Sequence, residues 1–299
     1  MDLTDKSQLI NYLKRHGLWA KKSMGQNFLV DRSALEKIVE AAELSPEDTV
    51  LEIGPGLGVL TEELVKRAGR VTAVEKDEKL ASLLHGFIAP LLKNNETVKQ
   101  CNNFEVLTGD ALDFEPESCH MEAGSYKLVA NIPYYITSKI LEKYLSAENK
   151  PSLIVVLVQK EVAERICAKD GGLSVLAVSV RYYGEPEMVG VIKRDSFFPA
   201  PNVDSAILKI RVNDHRSHPQ IGTDKAMEEE FFKIVRIGFQ ARRKTLFNNL
   251  KSGTHLSSGQ VEEILDKMGI AKNARAQELS IDDWKQLTEL TSQKSQPKT

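Results

Sequence analysis

From residue 49 onward, short apolar runs alternate with segments whose apolar positions recur every three or four residues. Thr49-Val50-Leu51 reads as a strand. Leu57, Leu60, Leu64, Val65 and Ala68 follow at helical spacing, and Gly69 stops them. Arg70 to Val74 is a second strand, Phe104 to Leu107 a third and Lys127 to Ala130 a fourth. Between the second and third, Asp77 to Leu92 carries Leu80, Leu83, Leu84 and Phe87 on a helical face. Ile136, Ile140, Leu141, Tyr144 and Leu145 form the next helix. The unbroken run Leu153 to Val158 fits a central strand buried on both faces. Helices near Val162–Ala168 and Leu173–Tyr183 precede strands near Met188–Ile192 and Ala206–Val212, which read as an antiparallel hairpin closing the sheet. Ahead of all this, residues 1–20 form a helix with Leu9, Ile10, Leu13, Leu18 and Trp19 on one side. A second helix presents Leu35, Ile38, Val39 and Ala42. The class is α/β, a mostly parallel Rossmann-like sheet with an antiparallel hairpin at one edge.

Past Asn213 the pattern changes. Residues 214–224 are polar, with Pro219 and Gly222, and read as a linker. Beyond them only helical periodicity appears: Glu228 to Leu250, Ser258 to Met268 and Ile281 to Thr291, with 292–299 expected to be a disordered tail. The expected division is therefore an α/β domain over 1–213, with an N-terminal extension over 1–30, and an all-helical domain over 214–299. Residues 115–125 read as a polar loop, and the stretch 94–124 is longer than a simple connection needs.

Composition narrows the class. A hydrophobic content of 41% and a charged content of 27% suit a soluble globular protein. No apolar stretch approaches the ~20 residues of a membrane span, and the polar start is not a secretory signal. Cys101, Cys119 and Cys167 are odd in number and scattered, which points to a reducing compartment, the cytoplasm, and to neither a disulfide framework nor a zinc site. The histidines show no ligand spacing, so no metal is expected. The net charge of −2 argues weakly against a nucleic-acid partner, but the portion from Leu176 onward is mildly basic.

The chemistry begins at Glu52-Ile53-Gly54-Pro55-Gly56-Leu57-Gly58, a glycine turn between strand and helix. Glycines let backbone approach a ligand, and the helix start offers free N–H groups. The spacing is not G-x-G-x-x-G, since Val59 stands where the third glycine would fall, and no Gly-Lys-Ser/Thr of a P-loop follows. Glu75 ends the second strand about 20 residues on, where a carboxylate accepts both hydroxyls of a ribose. Asp110, after the third strand, suits the amino group of an adenine. Asn131-Ile132-Pro133-Tyr134 follows the fourth strand. In open α/β sheets ligands sit outside the carboxyl ends of the strands, so Gly54, Glu75, Asp110 and Asn131 are expected to share one crevice.

An amino group on an aromatic base is a poor nucleophile because its lone pair is delocalised into the ring. Acceptors placed around it draw the lone pair out of conjugation, and the Asn131 side-chain oxygen and a backbone carbonyl near Ile132 are suited to this. Pro133 lacks an N–H and fixes the turn. Tyr134 offers a ring on which an extruded base stacks. Phe197-Phe198-Pro199-Ala200-Pro201 would hold a second aromatic wall, with Phe198 against the other face of the base. Arg236, Arg242, Arg243 and Lys244, with Phe239, Phe247 and Asn248, are expected on one basic helix, with Arg242, Arg243 and Lys244 suited to the phosphates of a nucleic acid.

Six segments together carry a resemblance: Lys-Lys-Ser-Met-Gly-Gln-Asn-Phe-Leu (21–29), the glycine turn (52–58), Gly-Asp-Ala (109–111), Asn-Ile-Pro-Tyr (131–134), Phe-Phe-Pro-Ala-Pro-Asn-Val-Asp-Ser (197–205) and Arg-Arg-Lys-Thr-Leu-Phe-Asn-Asn-Leu (242–250). Over nearly its whole length the chain resembles the ribosomal RNA adenine N6,N6-dimethyltransferases of the bacterial small-subunit type. The resemblance implies a class I methyltransferase sheet with a small helical C-terminal domain. It implies S-adenosyl-L-methionine as methyl donor and no metal. It also implies four methyl transfers to two adjacent adenines in the 3′-terminal hairpin of 16S rRNA, in the small subunit or its precursor, by a protein expected to be a monomer. Asn27, Leu29, Gly54, Gly56, Glu75, Asp110 and Asn131 would then line the donor site, with Asn131, Pro133, Tyr134 and Phe198 around the target base. The alternatives are a large-subunit adenine methyltransferase of the antibiotic-resistance type and a non-catalytic ribosome-assembly factor.

Overall fold

The computed structural model describes residues 1–21, 24–93, 103–168, 172–213 and 225–295. In chain order its elements are α1 (Lys6–Arg15), β1 (Phe28–Leu29), α2 (Arg32–Ala41), β2 (Thr49–Ile53), α3 (Val59–Val65), β3 (Arg70–Glu75) and α4 (Glu78–Lys93). Then come β4 (Phe104–Thr108), β5 (Tyr126–Ala130), α5 (Thr137–Ser146), β6 (Leu153–Gln159), α6 (Lys160–Cys167), α7 (Val175–Tyr183), β7 (Gly184–Ile192), β8 (Phe197–Phe198) and β9 (Ser205–Val212). The rest is helical: α8 (Lys225–Phe239), α9 (Leu246–Gly253), α10 (Ser258–Lys267) and α11 (Ile281–Ser295). Within the expected polar loop, Pro116–Cys119 makes a 3-10 turn.

Two compact units emerge, residues 1–163 with 185–213, and residues 164–184 with 214–299. This differs from a single cut at 213 because residues 164–184 count with the helical unit. The rings explain it. Tyr182 on α7 lies 4.4 Å from Phe231 on α8, and Tyr183 stacks on Phe232 at 5.5 Å. Helical periodicity tells which face of α7 is apolar, not which core receives it.

The first unit is built on a seven-stranded sheet in the order β4-β3-β2-β5-β6-β9-β7. The five strands from β4 to β6 run parallel, and β9 runs antiparallel to β6, with Leu153 opposite Arg211 and Gln159 opposite Ser205. Every residue of Leu153 to Val158 is buried, as its unbroken apolar run requires. From β2 the chain steps outward to β3 and β4, then crosses back to β5, so the order reverses between β2 and β5. A crevice opens at such a reversal, outside the carboxyl ends. The register aligns those ends, since Ile53 pairs with both Val74 and Ala130, and Glu75 with Thr108.

One face of the sheet contributes Val50, Val71, Ala73, Val129, Val155 and Leu157 to a core with Leu35 and Ile38 of α2, Leu60 and Leu64 of α3, and Leu84 and Ile88 of α4. Strand residues enter it at period two and helix residues at three or four, the two periods visible in the chain. A second cluster joins Leu9 and Leu13 of α1 to Leu18, Phe28, Leu57 and Leu80. The N-terminal segment is thereby fixed beside the glycine turn. β1 and β8 pair antiparallel, Phe28 opposite Phe198 and Leu29 opposite Phe197. Two-residue strands have no period for a sequence pattern to detect.

The helical unit corrects the long helix expected over 228–250. It ends at Phe239 and restarts at Leu246. The buried Asn249 side chain donates to the carbonyls of Gly238 at 2.6 Å and Ala241 at 3.3 Å, taking up carbonyls that a continuing helix would have used. Thr245 then caps α9 by accepting from the Asn248 N–H. A further correction is that residues 292–295 continue α11 rather than forming a tail. The linker 214–224 and residues 296–299 lie outside the described residues. Among the described residues no helix is long and apolar enough to cross a membrane.

Candidate active site

A cavity of about 380 Å³ occupies the crevice at the sheet reversal, within the ~300–1,000 Å³ usual for small-molecule sites. Gly54, Gly56, Glu75, Asp110, Asn131, Pro133 and Tyr134 all line it, and the N-terminal segment adds Asn27 and Leu29.

At the glycine turn, Gly56 has a φ of +59° and faces Phe28, whose Cε1 would stand 3.2 Å from any Cβ added there. Glycine meets both demands, a left-handed backbone and a close neighbour. The Gly56 N–H donates to Glu75 Oε2 at 3.0 Å, and the Asp77 N–H donates to Oε1 at 2.9 Å. Each Glu75 oxygen thus holds one backbone N–H and keeps lone-pair capacity for a ligand hydroxyl. Burial pushes the Glu75 carboxyl above its ordinary value, with the Asp77 carboxylate pushing the same way, and the backbone N–H groups of Asp77, Gly56 and Lys76 oppose that.

Asp110 is more committed than its sequence position suggested. Lys76 Nζ lies 2.6 Å from Oδ2, and the Leu112 N–H donates to Oδ1 at 2.9 Å. The Lys76 ammonium holds the Asp110 carboxyl below the usual carboxylate range. An amino group that approaches Asp110 must share it with Lys76.

Asn131 has the clearest geometry. Its side-chain Nδ2 donates to the Asn27 carbonyl at 3.2 Å, and the Asn27 side chain in turn donates to the Gly25 carbonyl at 3.0 Å. The amide is oriented, and its oxygen accepts no hydrogen bond among the described residues. Tyr134 is anchored at its far end, its hydroxyl 2.6 Å from Ser205 Oγ at the start of β9. That contact ties the Asn-Ile-Pro-Tyr segment to the Phe-Pro-x-Pro-x-Val-Asp-Ser segment, 71 residues away.

Phe198 is placed differently. It does not line the cavity. Its ring packs with the N-terminal cluster and lies under Lys6 Nζ, 5.6 Å from the ring centroid. The basic residues are also redistributed. Arg236 is on α8, whereas Arg242, Arg243 and Lys244 are exposed in the turn between α8 and α9. Phe239 stacks on the buried Trp284 at 5.5 Å, and Phe247 lies under Lys272 at 5.9 Å. The single basic helix expected over these residues does not form.

Among the cavity residues to which the sequence reading gave no role of their own are Glu52, Lys76 and Tyr135. Glu52 is 1% exposed, and its Oε2 has no hydrogen-bond partner among the described residues. Burial pushes its carboxyl up to about 8, and the Glu75 carboxylate pushes the same way. Lys76 and Tyr135 also line the cavity. Only the position of Lys76 beside Glu75 could have signalled it. Nothing in the apolar pattern marks Tyr135.

The family model for ribosomal RNA adenine dimethylase matches residues 17–293. The chain belongs to the ribosomal RNA adenine dimethylase family. It is 44% identical over 282 residues to a ribosomal RNA small subunit methyltransferase A of Dehalococcoides mccartyi, covering 94% of this chain and 91% of the relative. A protein of the same description from Clostridium botulinum is 39% identical over 273 residues, covering 90% and 92%. Among solved structures, the 23S rRNA methyltransferase ErmE superposes with a TM-score of 0.70 at 31% identity, over 89% of this chain and all of that one. A dimethyladenosine transferase of Plasmodium falciparum also reaches 0.70, at 26% identity, over 87% and 95%. The sheet is the class I methyltransferase sheet with its antiparallel hairpin, followed by a helical region. As a member of the dimethylase family the chain is an rRNA adenine dimethyltransferase, and membership implies S-adenosylmethionine as the methyl donor.

Proposed function

We propose that this chain dimethylates N6 of two adjacent adenines in the 3′-terminal hairpin of 16S rRNA, four transfers in all, within the small ribosomal subunit or its precursor. It acts as a cytoplasmic monomer and contributes to small-subunit biogenesis. The observation that carries the reading is the oriented Asn131 amide, whose nitrogen donates to the Asn27 carbonyl while its oxygen accepts no hydrogen bond among the described residues. An amide held this way accepts from an exocyclic amino group as the nitrogen pyramidalises, which is electrostatic and positional catalysis.

The donor's parts find matching groups. Glu75 takes ribose hydroxyls on its remaining lone pairs, Asp110 takes the adenine amino group alongside Lys76, and the turn at Gly54 and Gly56 admits the donor close to backbone. Asn27 and Leu29 close the site from the N-terminal segment. Pro133 sets the turn, and Tyr134, held by Ser205, stacks the target adenine. Arg242, Arg243 and Lys244 supply phosphate contacts from their exposed turn.

The likeness to ErmE favours a second reading, methylation of large-subunit RNA. Radiolabelled donor with unmethylated small subunits, unmethylated large subunits and free RNA, followed by nucleoside mass analysis, separates the two. Four methyls per small subunit, all as N6,N6-dimethyladenosine, are expected. Label confined to large-subunit RNA would replace this reading with the second. RNA binding with no transfer would leave only an assembly role.

A further inference from the structure

We infer that Tyr135 is an RNA-contacting residue that stacks the nucleotide next to the target adenine at the cavity mouth. This inference rests on the reading that the target is one of two adjacent bases on RNA. Tyr135 lines the cavity yet is 62% exposed, so its ring stands at the opening. It belongs to the single turn Tyr134–Ile136 that directly follows Asn131-Ile132-Pro133, so its place is tied to the reacting centre.

The ring is also seated. Its Cδ1 and Cε1 would lie 3.3 Å from a Cβ at Gly25, and Pro133 Cβ would lie 3.0 Å from it. Gly25 has a φ of +63°, so both backbone and space require glycine there. One part of the ring is thus backed by the Gly25 main chain while most of it faces solvent. Its hydroxyl makes no hydrogen bond among the described residues. Neither core packing nor a polar anchor accounts for a large ring in that position. Tyr134 contrasts with it, being half-buried and tethered to Ser205.

The two tyrosines divide the labour by depth. The target base must enter the cavity to bring its amino group to Asn131, and Tyr134 is placed there. Tyr135 meets what stays outside, the flanking nucleotide. A fixed aromatic with an open face is a sequence-tolerant stacking platform. Lys76, also on the cavity lining and with a 60% exposed side chain, adds a cation beside the backbone that leads in. On a pair of adjacent adenines, each base would take the Tyr135 position while the other reacts.

The test compares Tyr135→Ala, Tyr135→Leu and Tyr135→Phe with the unsubstituted chain, measuring KM for unmethylated small subunits, kcat, donor affinity, and RNA affinity by fluorescence anisotropy. Ala and Leu are expected to raise the KM for RNA roughly tenfold or more, leave donor affinity within about twofold, and accumulate RNA modified at one adenine. Phe should match the unsubstituted chain. Rescue by Leu would show that the ring merely covers Gly25, and would overturn the inference. So would a loss of donor affinity parallel to the loss for RNA. If the unsubstituted chain transfers no methyl to any rRNA, the functional reading fails, while anisotropy with Ala and Phe still decides whether Tyr135 holds RNA.

Discussion

Asn131 and Glu52 show how much a single side chain owes to its neighbours. The Asn131 amide is oriented by Asn27, over a hundred residues earlier, whose carbonyl accepts from its nitrogen. Asn131→Ala should therefore abolish methyl transfer while donor affinity stays within about tenfold, ~1.4 kcal/mol. Turnover and calorimetric titration of the same preparation check this, and near-normal turnover would remove Asn131 from the chemistry. Glu52 makes a prediction about pH. Its ordinary value is 4.5, and the fold raises it to about 8. Between those values the folded chain keeps a proton that the unfolded chain has lost. Its stabilising contribution is thus complete below the unfolded value and lost as pH rises through the folded one. Glu52→Gln keeps the shape without titrating, so urea unfolding from about pH 5 to about pH 8 should fall less steeply with pH in the variant. Equal slopes would mean that Glu52 is ionised in the fold.

At the scale of elements, the α8–α9 turn carries the next prediction. Arg242, Arg243 and Lys244 are exposed there, with no helix to space them, and Asn249 and Thr245 hold the turn from beneath. Neutralising all three should weaken RNA binding and reduce the slope of log affinity against log salt by up to about 3. An unchanged slope would show that the turn is only solvated. The same turn shows where the sequence was legible and where it was not. Apolar spacing continues from Glu228 to Leu250, and the interruption is made by a polar residue, Asn249, whose effect depends on a carbonyl eleven residues away. β1 and β8 were hidden for another reason, since their pairing joins residues 28 and 198. By contrast β6 and the strand ends at Glu75 and Ala130 were plain from local pattern, because burial on both faces and a polar residue closing an apolar run leave direct marks, whereas β2 runs two residues past the expected Leu51, to Ile53.

For the molecule as a whole, each unit has its own core, one around the sheet and one around Phe231, Trp284 and Leu287. The cavity proposed for the donor is lined, among the described residues, by residues of the first unit, from Met24 to Ile136. S-adenosylhomocysteine at about a hundredfold over its Kd should stabilise that unit by ~2.7 kcal/mol. Hydrogen exchange should place the protection at the glycine turn, Glu75, Asp110 and Asn131. Protection centred in residues 225–295 would contradict this assignment of the donor site.

The sequence by itself determined the strand order of chemistry: a glycine turn, an acid after each of the next two strands, then Asn-Ile-Pro-Tyr. Local backbone geometry and hydrophobic period write such features directly into neighbouring residues. Only the tertiary structure decided that Lys76 shares Asp110, that Asn27 aims Asn131, that Ser205 tethers Tyr134, that Phe198 packs under Lys6 instead of lining the cavity, and that Tyr135 stands at its mouth. Most of these contacts join residues tens to over a hundred positions apart. Their geometry is set by sheet register and packing, which no periodicity along the chain encodes.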